Sequence, residues 1–163
     1  MNHKTKNSTS GFGLIEMIIG SAVLSVSLLG ISNFFQSTLR TSGITQSLVQ
    51  GDYLLEEGME TMKLFRDTSY ADYFKNMSTT TTYYLTWNGT TWATTTANTF
   101  VDGKFERKFT LTDVKRDANS DISTSGTYDP DIKLITMSVA WNSPVVGTTT
   151  RLIKAYVLNI FNN

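Results

Sequence analysis

The sequence has no cysteine, one histidine and two prolines among 163 residues. Without cysteine there is no disulfide framework and no thiol nucleophile, and the redox compartment stays open, because that absence fits either side of a membrane. The histidine, His3, lies in a short basic segment at the start, which removes histidine-dependent catalysis and histidine-rich metal sites from the functions to be weighed. Charge of one sign is not in excess either. Fourteen basic residues balance fourteen acidic ones, so the whole molecule offers no electrostatic case for nucleic acid, and DNA binding would need a local patch. No P-loop, nucleophile elbow or metal-ligand cluster is found, and a non-enzymatic role is expected. Length and a 40% hydrophobic content suit one modest domain with an appendage.

The appendage is conspicuous. From Phe12 to Phe35 the chain reads FGLIEMIIGSAVLSVSLLGISNFF, twenty-four residues with one charge, Glu16, and one amide, Asn33. As a helix this spans about 36 Å, enough for a hydrocarbon core of roughly 30 Å. Lys4 and Lys6 precede it and a lone Arg40 follows it, so the positive-inside bias places the start in the cytoplasm and everything beyond residue 40 or so outside. A secretory signal would be shorter and would end at a small-residue cleavage site. A plain single-pass anchor accounts for length and orientation but leaves a carboxylate five residues into the run without a purpose, although charge in hydrocarbon is costly and marks function.

Gly11-Phe12-Gly13-Leu14-Ile15-Glu16 resembles the class III signal of type IV pilins, type II secretion pseudopilins and competence pilins. Four features coincide: a short basic leader, Gly before Phe, Glu fifth after that junction, and an unbroken apolar helix behind it. SAVLSVSLLGI and YLLEEGMETMKLFRDTSY are similar to the minor-pilin branch, and the resemblance covers residues 4 to about 70. It implies a leader, 1–11, removed by a membrane-embedded prepilin peptidase that cuts between Gly11 and Phe12 and methylates the new Phe12 amine. It implies that Glu16 then pairs with a neighbouring subunit's N-terminal amine during assembly. A carboxylate in low dielectric needs a cation nearby, and an ammonium on another copy supplies one while fixing register. The partners implied are other pilin subunits, the prepilin peptidase, the pilus or type II secretion machinery and the inner membrane, followed by a surface filament. The chain departs from the family in two places. Gly13 stands where Thr or Ser is usual, and Asn33 stands where many major pilins carry a helix-breaking proline, which suits a minor pilin or pseudopilin.

Beyond the apolar run, Ile44, Leu48, Leu55, Met59 and Met62 form a helical stripe, with Gln46, Gln50, Asp52, Glu56, Glu57 and Lys63 facing elsewhere. One helix from about Phe12 to about Arg66 is expected, its membrane part at 12–36 and its amphipathic part at 37–69, with Gly43, Gly51 and Gly58 as soft spots. From 70 to 163 strand-favouring runs alternate with turn signals. Tyr83–Trp87 and Thr91–Thr95 flank Asn88-Gly89 as a hairpin, Lys104–Val114 and Leu134–Trp141 follow, Asp129-Pro130 reads as a turn, and Arg151–Ile160 ends the sheet. Phe105, Phe109 and Leu111 share one face with Arg107, and Ile135, Met137, Val139 and Trp141 are expected to meet the helix. The fold class is therefore α+β, a long N-terminal helix on an antiparallel sheet, which the resemblance makes a pilin fold.

Three further constellations stand out. Asp117, Asn119 and Asp121, with Asp129 and Asp131 close behind, place oxygens at alternate positions that can surround Ca²⁺. They lack the glycine and glutamate of an EF-hand, and a solvated polar loop is the plainer reading. Trp87, Trp92 and Tyr84 can form a glycan- or surface-binding face or simply pack on the sheet. Lys104, Arg107, Lys108, Lys115 and Arg116 are the local basic cluster that a DNA-capturing tip pilin would use. A structural filament subunit is the first expectation, and an adhesive or DNA-uptake tip pilin the second.

Overall fold

The computed structural model describes Gly11, residues 13–143 and residues 147–161. Its single long helix, α1, runs Leu14–Tyr70, four residues beyond the expected end. No proline interrupts it, and its leucines, methionines and glutamates favour helix. It breaks at Ser69, whose backbone is extended (φ −166°, ψ 106°), and a π-helical turn, Ala71–Lys75, follows. The chain divides into two compact units, Met1–Thr45 and Gln46–Asn163, so the amphipathic part of α1 from residue 46 belongs with the sheet.

In the second unit, β1 (Tyr83–Trp87), β2 (Trp92–Thr95), β3 (Phe100–Val101), β4 (Phe105–Arg116), β5 (Ile122–Ser123), β6 (Thr127–Ser143) and β7 (Gly147–Leu158) form one antiparallel sheet. The order is β2-β1-β4-β6-β7, and β3 and β5 pair with β4. The hairpin at Asn88-Gly89 forms as expected. Asn88 Oδ1 accepts the backbone N–H groups of Thr90 and Thr91 at 2.9 and 2.8 Å, and Gly89 takes the left-handed φ of 95° that the turn requires.

Strict alternation on β4 and β6 makes one face of the sheet apolar. Phe105, Phe109, Leu111, Ile135, Met137, Val139 and Trp141 are all buried, and they form one core with Leu54, Leu55, Met59, Met62 and Phe65 of α1. The helical stripe thus meets the sheet face that the sequence assigned to it. Two of the supposed soft spots are close-approach sites instead. A Cβ at Gly51 would stand 2.6 Å from Cζ3 of Trp141, and one at Gly58 would stand 3.0 Å from Cε of Met137. Glycine here lets helix backbone settle onto large side chains of β6, and the core fixes the helix where propensity alone would loosen it.

The expected turn at Asp129-Pro130 is also corrected. These residues lie inside β6, where the register against β4 jumps from Asp113↔Lys133 to Val114↔Asp129. Pro130, Asp131 and Ile132 are thereby left out of the β4 ladder, and a bulge of this kind is where a strand tolerates a residue lacking an N–H. Beneath it the end of the helix is pinned by rings. Phe65 stacks on Tyr73 with centroids 4.2 Å apart, and the buried Tyr70 donates its hydroxyl to the Pro130 carbonyl at 3.4 Å. Burial, then the neighbouring Tyr128 phenol and the negative charge of Asp131, Asp129 and Asp113, push the Tyr70 phenol well above its usual range.

Candidate functional site

The residues singled out for processing and assembly sit at the start of α1. Gly11 is exposed and outside regular structure, and Phe12 lies outside the described residues. Gly13 acts as the N-cap: its carbonyl accepts from Glu16 N at 3.0 Å and from Met17 N at 3.3 Å, and its N–H donates to Glu16 Oε2 at 2.8 Å. This is half of a capping box, the glutamate at the third helical position reaching back to the cap. The other half needs a hydroxyl at the cap, and Gly13 has none. Glu16 therefore has a role within the single chain, neutralising one open N–H and sitting at the positive end of the helix dipole. One hydrogen bond occupies only part of a carboxylate's acceptor capacity, so the group keeps room for a cation.

Behind this cap the helix surface is uncovered. Every Leu, Ile, Val, Met and Phe from Leu14 to Leu39 is more than half exposed, in a helix long and apolar enough to cross a membrane. Four of its hydroxyls are already satisfied from within. Ser21 donates to the Ile18 carbonyl, Ser25 to Ser21, Ser27 to Val23 and Thr38 to Phe34, at 2.8 to 3.0 Å. A serine bonded to its own preceding turn carries no unmet donor into an apolar medium, so the polar letters of GSAVLSVS do not oppose burial in lipid or among other helices.

The acidic constellation is engaged in shaping loops. Asp117 Oδ1 accepts the N–H groups of Asn119 and Asp121 at 2.9 and 3.0 Å. Asp129 Oδ2 takes Arg116 Nε at 2.6 Å while Oδ1 takes the Asp131 N–H at 2.9 Å, and Asp131 Oδ1 accepts from the Asn159 amide at 3.1 Å. The Arg116 bond, foremost, holds the Asp129 carboxyl below its ordinary value. Among the described residues no three acidic or histidine side chains converge as metal ligands.

The basic residues do not share a face. Arg107 is buried on the helix side of β4 and pairs with Glu57 of α1, whereas Lys108, next in the strand, is half-exposed and bonds Glu106 at 2.8 Å. Lys104 reaches Ser47 at 2.7 Å, and Arg116 is held by Asp129. The sequence did place Arg107 among apolar neighbours but missed its consequence, that a carboxylate on the facing helix must answer it; Glu57, read as a solvated-face residue, is that partner. Lys133 poses the same problem at the bulge. Burial draws its ammonium down, while bonds from Asp113 and from Tyr128 Oη at 3.0 Å more than offset this and leave it raised.

Of the three aromatic residues grouped by sequence, two meet. Trp87 and Trp92 are directly opposed across β1 and β2, with ring centroids 5.3 Å apart. Tyr84 is three residues before Trp87 and so faces the other side of the strand, where its hydroxyl lies 3.5 Å from Glu106 Oε1. Comparison with protein-family models, with curated proteins and with solved structures returns no match for this chain.

Proposed function

We propose that this chain is a structural subunit of a type IV pilus-like filament, a minor pilin or pseudopilin, matured by cleavage between Gly11 and Phe12 and assembled through α1. The observation that carries the reading is an uncovered apolar helix whose one charge, Glu16, sits in its first turn directly behind a Gly-Phe junction. An uncovered face of this size needs a lipid bilayer before assembly and neighbouring helices after it. A carboxylate at its start needs a cation, and a methylated N-terminal amine of the adjacent copy is one of matching charge at a matching depth. Before assembly the protein is a single-pass inner-membrane protein with its start in the cytoplasm, and afterwards it is part of a surface filament. The sheet unit is the outward-facing head.

The test is the mass of the N-terminal peptide of protein isolated from its native membrane. A peptide beginning at Phe12 with one added methyl group supports the reading. A start at Met1, or a cut near residue 36, sinks it.

A further inference from the structure

The β1–β2 hairpin, β3, Arg107 of β4 and Glu57 of α1 line an open cavity of about 560 Å³, within the usual range for small-ligand sites, and filament assembly gives it no task. Trp87 and Phe100 form part of its wall with about half of each side chain exposed, and Trp92 stands between them and the core. Arg107, 3% exposed, lines the cavity with its guanidinium carbon 5.1 Å from the Trp92 ring centre. Its Nη1 bonds Glu57 and the Leu54 carbonyl, but its Nε has no acceptor in the protein. Glu57 gives Oε2 to Arg107 and remains half-exposed. Thr99 donates its hydroxyl to the Leu85 carbonyl at 3.2 Å and keeps its own acceptor capacity.

We propose that this cavity binds a saccharide, a pyranose unit of a glycan stacked on Trp87 and Phe100 with its hydroxyls directed to Glu57 and Thr99. A pyranose ring has an apolar C–H face and a rim of hydroxyls that both donate and accept. Half-exposed indole and phenyl rings match the face, and the half-exposed Glu57 carboxylate with spare lone pairs, together with the Thr99 hydroxyl as acceptor, matches the rim. Arg107 Nε is buried out of reach, and Arg107 serves only to hold Glu57 through Nη1. Nucleic acid fits less well. The cation in this wall is already neutralised by Glu57, so a phosphate would meet a carboxylate without a free positive charge. An aromatic peptide side chain would cover the Glu57 carboxylate while offering it nothing in return.

The test needs the full chain in a non-glycosidic detergent, so that no sugar headgroup competes. Fluorescently labelled protein is applied to an array of bacterial, plant and animal glycans, and retained glycans are then titrated against intrinsic tryptophan emission. Saturable binding is expected, weakened about tenfold or more by Trp87→Ala and by Phe100→Ala, and by Glu57→Gln with the circular dichroism of the sheet unchanged. Tyr84→Ala, on the opposite face, leaves binding as it was. Retention of no glycan, or equal retention by the Trp87→Ala and Phe100→Ala variants, overturns the proposal, as does saturable binding of oligothymidylate or a tryptophan-bearing peptide that these two substitutions abolish. None of these outcomes depends on how the N-terminus is processed, so the filament reading stands or falls separately.

Discussion

Trp141 lies against Gly51 so closely that a single added carbon on the helix would stand 2.6 Å from Cζ3 of its ring and 3.0 Å from Cη2. The ring is buried, 5.5 Å from the Phe105 ring centre, so a shift to make room disturbs its packing in the core. Alanine at an exposed helical glycine stabilises by about 1 kcal/mol, whereas overpacking a core costs about 1–3 kcal/mol. Gly51→Ala is therefore expected to destabilise the head by about 1 kcal/mol. Gly58→Ala meets the flexible end of Met137, Cε at 3.0 Å and Sδ at 3.1 Å, with Arg107 Cδ at an ordinary 3.5 Å, and the two opposing effects should nearly cancel. Thermal melts of the two variants against the parent check this, and a Gly51→Ala protein as stable as Gly58→Ala would contradict the packing.

The Arg107–Glu57 pair predicts an asymmetry. Arg107 is buried and Glu57 is half-exposed, so the two partners differ in what they lose when left alone. Glu57→Ala strands a buried guanidinium and should cost about 1–3 kcal/mol. Arg107→Met leaves a carboxylate that water can reach, and fills the space with a side chain that packs against Trp92, so it should be close to neutral. Chemical denaturation of both variants gives the comparison, and equal losses would mean the pair acts as an ordinary surface bridge.

Acid should weaken the corner where β4, β5 and β6 meet. Arg116 Nε, 2.6 Å from Asp129, holds that carboxyl below its ordinary value of 3.8. A carboxyl that protonates less readily in the folded chain adds stability above the unfolded value and loses it as pH falls through the folded one. Because Arg116 is partly solvated, the contribution should be no more than about 1 kcal/mol. Asp129→Asn is expected to be less stable than the parent at neutral pH, and the gap should narrow as the pH falls below the ordinary value of 3.8. Melting temperatures across that range decide it, and a gap independent of pH would rule the ion pair out as its cause.

Much of the head was legible in the sequence because its periods are clean. The alternation FERKFTL and ITMSVAW assigned the buried face residue by residue, and Asn88-Gly89 located the hairpin. The departures have a common physical origin in contacts between segments distant in the chain. Gly51 and Gly58 look like helix weaknesses until Trp141 and Met137 are laid across them. Asp129-Pro130 has the local chemistry of a turn, and becomes a bulge because β4 pairs with β6 on both sides of it, at Val114↔Asp129 and Asp113↔Lys133. The cavity beside Trp87 depends on β3, a two-residue strand with no periodic signal of its own. At the other end, the hexapeptide made Glu16 conspicuous, but its bond to Gly13 follows from helix geometry that no motif records.

That bond separates two roles for Glu16. As a cap, it needs only an acceptor oxygen 2.8 Å from the Gly13 N–H, which the amide of Gln also supplies, as it does in natural capping boxes. As an assembly group, under the filament reading, it needs a negative charge to meet a neighbour's ammonium in low dielectric. Glu16→Gln should therefore leave the membrane helix and its processing intact while reducing recovery in sheared filaments by tenfold or more. Gly13→Ser adds the hydroxyl missing from the cap, should stabilise the first turn by roughly 0.3 kcal/mol, since glycine is itself a fair N-cap, and should not lower that recovery. Quantitative blotting of the sheared and membrane fractions measures both. If Glu16→Gln enters filaments as the parent does, the carboxylate serves the helix start alone, and its charge must be dismissed as the assembly signal.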